Sequence, residues 1–242
     1  MIDIAWTLAL HMAGLLLFAA ILRLLAHSIA ITPLISAVGV TVVYWAVEVF
    51  GSAAQPHVPG FTHLHWNWFG KVLAVIVSLA MVAALPRMTR NEVGLTCRQK
   101  AGWLFPVLLV MLATCAVSWI AQELSHEGRQ LAPERLLFQA TMPGLDEELF
   151  FRGVLLALLA RAFGPSREVA SAPFGAAELA VILLFAAAHG IRIAHGAIAF
   201  SASDFVVTGL IGSGLTWLRT RTGSLAIPVL AHNLVNLGNS FF

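Results

Sequence analysis

Eight apolar stretches, each near the length of a membrane-crossing helix, leave this chain few ways to fold. A helix needs about 20 mainly apolar residues to cross bilayer hydrocarbon. The candidate spans are 5–25, 29–50, 69–86, 103–122, 136–162, 175–190, 204–218 and 224–240. Only 11% of the 242 residues are charged. A soluble domain carries roughly 25%, so this chain cannot cover a water-facing surface. Backbone polar groups find no water in lipid, and an open sheet cannot span it. The expectation is an all-α, polytopic transmembrane helical bundle of about eight spans, with 1–242 forming a single integral-membrane domain. The piece G-I-R-I-A-H-G-A-I-A-F-S-A-S-D between spans six and seven is expected to be an irregular connection, tolerable only against protein or a wet cavity.

Charge and cysteine content narrow the function classes. The formal net charge of +2 is spread between apolar runs and forms no patch, which speaks against a nucleic-acid partner. Cys97 sits in a basic loop and Cys115 in mid-span, so both are expected as free thiols. The N-terminal M-I-D-I-A-W lacks a basic leader, and the first apolar run is expected to be retained. Basic residues are uneven across the spans. Arg23, Arg87, Arg90, Arg98, Lys100, Arg161, Arg167, Arg219 and Arg221 would fall on one side, and Lys71, Arg129, Arg135 and Arg192 on the other. That bias puts both termini outside the cytoplasm.

Within this apolar chain the run P-G-L-D-E-E-L-F-F-R-G-V-L-L is the anomaly. A charged side chain near a bilayer centre costs at least ~2.5–3.5 kcal/mol on insertion scales, so several in one span need a reason. Positions four apart share a helix face, so Glu148 and Arg152 align and can pair, while Glu147 points elsewhere beside Phe151. An ion pair that merely neutralises itself would account for Glu148 and Arg152 but not for Glu147. Two later spans add F-A-A-A-H, ending at His189, and H-N-L-V-N, with His232 and Asn236 one turn apart. Taken singly, His189 is more often an interfacial group than a catalyst, and the His232/Asn236 pair could simply glue two helices together. Together these residues are the parts of a hydrolase acting through water: a Glu/His pair for general-base work and a His/Asn pair to donate to a developing oxyanion. A proton- or ion-coupled transporter is the rival reading, although the chain shows no inverted repeat. A non-catalytic immunity or scaffold protein is the other.

The ordered set E-E-x-x-x-R, F-x-x-x-H and H-x-x-x-N resembles the signature of CAAX prenyl protease 2 and its bacterial relatives. These are the CPBP (CAAX protease and bacteriocin-processing, or ABI) intramembrane proteases. The resemblance covers residues 137–240, and R-T-G-S-L-A-I-P-V-L-A-H-N-L-V-N is similar to the family's last conserved segment. It implies a multi-pass enzyme of a bacterial inner (cell) membrane, cleaving a membrane-anchored protein or peptide. By the same resemblance Glu147 and His189 activate water, Glu148 and Arg152 support them, and His232 and Asn236 stabilise the oxyanion. Asp146 and Asn233 receive no catalytic role. Two Glu and two His could bind zinc, but the H-E-x-x-H helix of zinc proteases is absent, and His126-Glu127 continues as Gly-Arg-Gln. The expectation is no cofactor and no metal. A serine elbow G-x-S-x-G is also absent.

Overall fold

The computed structural model describes residues 2–25, 27–99, 102, 104–126 and 128–242. Its framework is helical: α1 (Ile2–Leu24), α2 (Ile31–Ala54), α3 (Trp68–Ala84), α4 (Leu104–Ser125), α5 (Pro133–Glu147), α6 (Leu156–Phe163), α7 (Ala176–Gly190), α8 (Ala202–Thr222) and α9 (Ala226–Gly238). Between α5 and α6 the chain winds as a π-helix over Glu148–Leu155. The backbone stays helical through both junctions, so α5, the π stretch and α6 form a single rod. Among the described residues, Ile2–Leu24, Ile31–His57 and Leu104–Ser125 are long and apolar enough to cross a membrane, and Trp68–Ala84, Ala176–Gly190 and Ala226–Gly238 are shorter apolar helices. Leu17, Ile35, Phe50, Phe105 and Leu112 project outward, as lipid-facing side chains do.

Contacts between rod ends show that the rods alternate in direction. At one end the Ala30 N–H donates to the Ala162 carbonyl at 2.9 Å. There Arg161 also donates to the carbonyls of Pro86 and Arg87 and to the Glu92 carboxylate. At the other end Glu134 accepts from the N–H groups of His65 and Trp66, and Asp3 accepts from that of His195. Arg87, Arg161, Arg219 and Arg221 gather near the first end, as the charge bias requires. Lys100 and Glu127 lie outside the described residues. Lys71 is a correction to that bias. Asn67 caps α3 by accepting from the Gly70 N–H, so the helix begins before Lys71 and carries it into the protein interior.

Two short hairpins correct the expectation of helices alone. Strands β1 (Arg167–Val169) and β2 (Ala172–Phe174) pair antiparallel, as do β3 (Ile191–Ala194) and β4 (Ala197–Phe200). The second pair occupies the segment expected to be irregular. Its two-residue turn, His195 and Gly196 at φ 52 and 75, has the left-handed backbone that tight hairpins favour. Pairing satisfies the backbone groups that an irregular loop would leave open. The hairpin is latched to α1. Thr7 Oγ1 accepts from the Ile193 N–H at 2.7 Å, and His11 Nε2 donates to the Ile191 carbonyl at 3.0 Å.

The interior has two apolar clusters. One joins α1, α2, the π stretch, α6 and α7 through Leu15, Tyr44, Phe150, Leu159 and Phe185. The other joins α4, α8 and α9 through Val107, Leu215, Leu218 and Val235. Helix α9 approaches α5 closely at Gly144, where a Cβ would meet the Val229 carbonyl oxygen at 2.5 Å and Asn233 Oδ1 at 2.6 Å. Asn233 completes this contact as a clasp, accepting from the Gly144 N–H at 2.8 Å and donating to the Thr141 carbonyl at 3.2 Å.

Two outcomes are expected. Gly144→Val forces α9 away from α5 and should lower stability by about 1–3 kcal/mol, read as a fall in Tm of the detergent-purified protein. At the loop, the Arg161 guanidinium holds the Glu92 carboxyl below its ordinary value of 4.5. Stabilisation from a depressed carboxyl is present above that ordinary value and lost as pH falls through the folded-state value. Glu92→Gln should therefore melt below wild type near neutral pH, with the two Tm curves converging on acidification.

Candidate active site

The site is built where the long central rod meets α3, α7, α8 and α9. Helix α5 delivers Asp146 and Glu147 at its last turn, and the π stretch delivers Glu148 and Arg152. π-Helical turns occur often at functional sites. Asp146, Glu148 and Arg152 are fully buried. Glu148 Oε1 accepts from Arg152 Nη1 at 3.0 Å, the one-turn pairing expected from the sequence. The guanidinium is fixed on its other sides by Thr216 Oγ1 at 3.4 Å and the Gly212 carbonyl at 3.3 Å, and it lies 4.1 Å from the Phe185 ring centroid. A guanidinium over an aromatic face gains further attraction in a desolvated place.

His232, from α9, stands between the two glutamates. Its Nδ1 lies 2.7 Å from Glu148 Oε1, and its Nε2 lies 3.9 Å from Glu147 Oε2. A carboxylate accepts only, so Nδ1–H donates and Nε2 is the atom turned towards Glu147. The two adjacent glutamates thus address opposite edges of one imidazole, which explains how residues that diverge on a helix can both serve one site. His189, at the last turn of α7, donates Nδ1–H to the Phe185 carbonyl at 2.8 Å, which leaves its Nε2 as an acceptor. The Phe185 ring lies between the two histidines, 4.7 Å from His189 and 6.0 Å from His232 by ring centroids.

His189, His232 and Asn236 all line one cavity of 310 Å³. Phe185 enters it from the first apolar cluster, and Ile211 and Val235 from the second. Ser118 and Gln122 of α4 and Asp204 of α8 add polar wall. The cavity therefore lies on the seam between the two clusters. Glu147 is tied from the opposite side, its Oε1 accepting from Lys71 Nζ at 2.8 Å. Its Oε2 is buried with no hydrogen-bond partner, as is Glu148 Oε2. Among the described residues, no three His, Cys, Asp or Glu side chains are grouped to hold a metal ion.

Sequence reasoning passed over Tyr44, Glu48 and Lys71, and set Asp146 aside. Asp146 Oδ2 accepts from Lys71 Nζ at 2.7 Å and from the Tyr44 hydroxyl at 2.9 Å, and Glu48 Oε1 lies 3.6 Å from the same ammonium. The signal was present: Tyr44 and Glu48 are polar, one turn apart, in an otherwise apolar span, and Lys71 interrupts F-G-K-V-L. Each has only one helical neighbour to betray it, whereas the Glu148/Arg152 pairing is visible within a single helix.

The bundle thus sets the carboxylates of Glu147 and Glu148 beside His232, which with His189 and Asn236 lines the neighbouring cavity. Residues 129–238, a little under half of the chain, match the family model described as Rce1-like, Type II CAAX prenyl endopeptidase Rce1-like. At the family level this match supports an integral membrane protease, a hydrolase acting on a protein or peptide in the membrane. No curated protein and no solved structure matches the chain.

Removing Arg152 while keeping Glu148 strands a buried carboxylate. Arg152→Ala should cost about 3–5 kcal/mol of stability. Arg152→Met combined with Glu148→Gln should recover much of the lost Tm, since it removes both charges.

Proposed function

We propose that the protein is a glutamate-type intramembrane endopeptidase that cleaves a membrane-anchored protein or peptide by attack of an activated water, with no metal or other cofactor. The observation that carries this reading is the pairing of Glu147 and Glu148 about His232, one carboxylate wired to Arg152 and the other with a free, buried oxygen beside the imidazole.

In the proposed cycle, Glu147 and His189 take hold of a water beside the scissile carbonyl. Both can accept its protons, Glu147 through its free Oε2 and His189 through Nε2. The water oxygen forms a bond to the carbonyl carbon while its proton passes to Glu147. Negative charge then grows on the carbonyl oxygen, and donors fixed in advance lower that barrier most where water is excluded. The Asn236 amide is one donor and His232 Nε2 the other. Because Nδ1–H is given to Glu148, Nε2 donates only when the ring carries a second proton, and the Glu148 carboxylate supplies the balancing charge. Collapse breaks the C–N bond, and Glu147 returns its proton to the leaving amine. Arg152 keeps Glu148 oriented towards His232. A bacterial inner membrane is the proposed location, from the resemblance to bacterial members of the family.

The test uses purified protein and a panel of membrane-anchored peptides, with and without a prenylated CAAX-type terminus. Glu147→Gln keeps shape but not basicity, so it should abolish turnover while Tm stays near wild type; wild-type activity in this variant removes Glu147 as the base. Asn236→Ala should cut kcat by about 10²–10³ and leave KM nearly unchanged, as loss of one oxyanion donor does. A fall in Tm with normal kcat would instead make Asn236 helix glue. Activity should persist in chelators, and loss that zinc restores would overturn the metal-free cycle.

A further inference from the structure

Three carboxylates surround one ammonium in a buried space that the family-matched segment 129–238 supplies only in part. Asp146 and Glu147 come from α5, Glu48 from α2 and Lys71 from α3. The side chain of Lys71 is 13% exposed and those of Asp146 and Glu147 are 0% and 16% exposed. The lysine is held on several sides: Asp146 and Glu147 accept its hydrogen bonds, and Glu48 lies within ion-pair range. Its partners are held in turn. Tyr44 donates to the same Asp146 oxygen that Lys71 uses, and Asn67 Nδ2 donates to Glu48 Oε2 at 2.9 Å. Helices α2 and α3 meet closely enough to bring these groups together because glycines face one another, a Cβ on Gly51 falling 2.5 Å from the Gly70 Cα.

The consequence for Glu147 is directional. A carboxylate on a freely turning side chain offers either oxygen to the site. Here Oε1 is engaged by Lys71, and Oε2 is left without a partner, facing His232 Nε2 at 3.9 Å. Charge-assisted hydrogen bonds are the short, orienting kind, and a small misplacement of a reacting group is costly in rate. We propose that Lys71 is a positioning residue for Glu147: it fixes one oxygen of the proposed base so that the other faces His232, with Asp146, Tyr44 and Glu48 holding the lysine in place. This rests on the reading of Glu147 as the base. The part of the site that aims the base therefore comes from the N-terminal helices, outside the segment that carries the family signature.

The alternative is that Lys71 only balances charge and thereby stabilises the fold. Lys71→Met alone leaves the surrounding carboxylates without their cation, so the companion variant Lys71→Met/Asp146→Asn lightens that load. The full-length protein is assayed with a fluorogenic, membrane-anchored CAAX peptide that the wild type cleaves, alongside Tm and the Glu147→Gln variant. Positioning predicts that kcat falls about 10- to 100-fold in the single variant with KM within about twofold, the loss expected for one charge-assisted hydrogen bond. It also predicts that kcat stays low in the companion variant even where Tm recovers. Recovery of kcat together with Tm would reduce Lys71 to a structural counter-ion and overturn the proposal. A rise in KM at unchanged kcat would overturn it too, by assigning Lys71 to substrate binding. Inactive Glu147→Gln beside fully active Lys71 variants sinks the positioning role alone, whereas active Glu147→Gln sinks the base and, with it, this inference.

Discussion

The energetic cost of placing charge in a low-dielectric interior organises this molecule more than any other constraint. A carboxylate or ammonium removed from water needs compensation of several kcal/mol, so charged residues inside the bundle are held wherever they can reach one another. Two such groupings result. Arg152 gathers Glu148, Thr216 and the Gly212 carbonyl, and so binds the π stretch to α8. Lys71 gathers Asp146, Glu147 and Glu48, and so binds α5 to α3 and α2. Close helix contacts at Gly144 and at the Gly51–Gly70 crossing let these groups meet. Electrostatics and backbone approach are thus one problem solved jointly.

How much of this was legible beforehand depended on how local the signal was. The apolar runs marked a helical, membrane-type chain, because length and hydrophobicity act within one segment. Glu148 and Arg152 could be paired because they lie one turn apart. Lys71 counted only as a charge on one side of the membrane, since nothing within α3 reveals that two carboxylates lie 75 and 76 residues further on. The hairpin at Ile191–Phe200 was hidden for another reason: its strands are almost as apolar as the spans around them, and His-Gly is a weaker turn signal than Asn-Gly. Asp146 lay beside a stronger motif and was set aside, although its burial is as complete as that of Glu148.

The two halves of the chain divide the labour. Helices α5 to α9 carry the glutamates, both histidines and Asn236. Helices α2 and α3 contribute the groups behind Glu147, and α4 contributes Ser118 and Gln122 to the cavity wall. The cavity lies on the seam between two apolar clusters, with Phe185 from one and Ile211 and Val235 from the other in its wall.

The latch between α1 and the β3–β4 hairpin bears on how the chain is assembled. Asp3, Thr7 and His11 contact partners 180 to 192 residues later in the sequence. A ribosome delivers the first helix to the membrane long before residues 191–195 exist. Until residues 191–195 are made, Asp3, Thr7 and His11 of α1 lack these partners, and the final seating of the helix waits on them. The hairpin follows His189 directly, so the event that seats the first helix also braces the turn carrying that histidine. Biogenesis and completion of the cavity wall are then timed by the same late step.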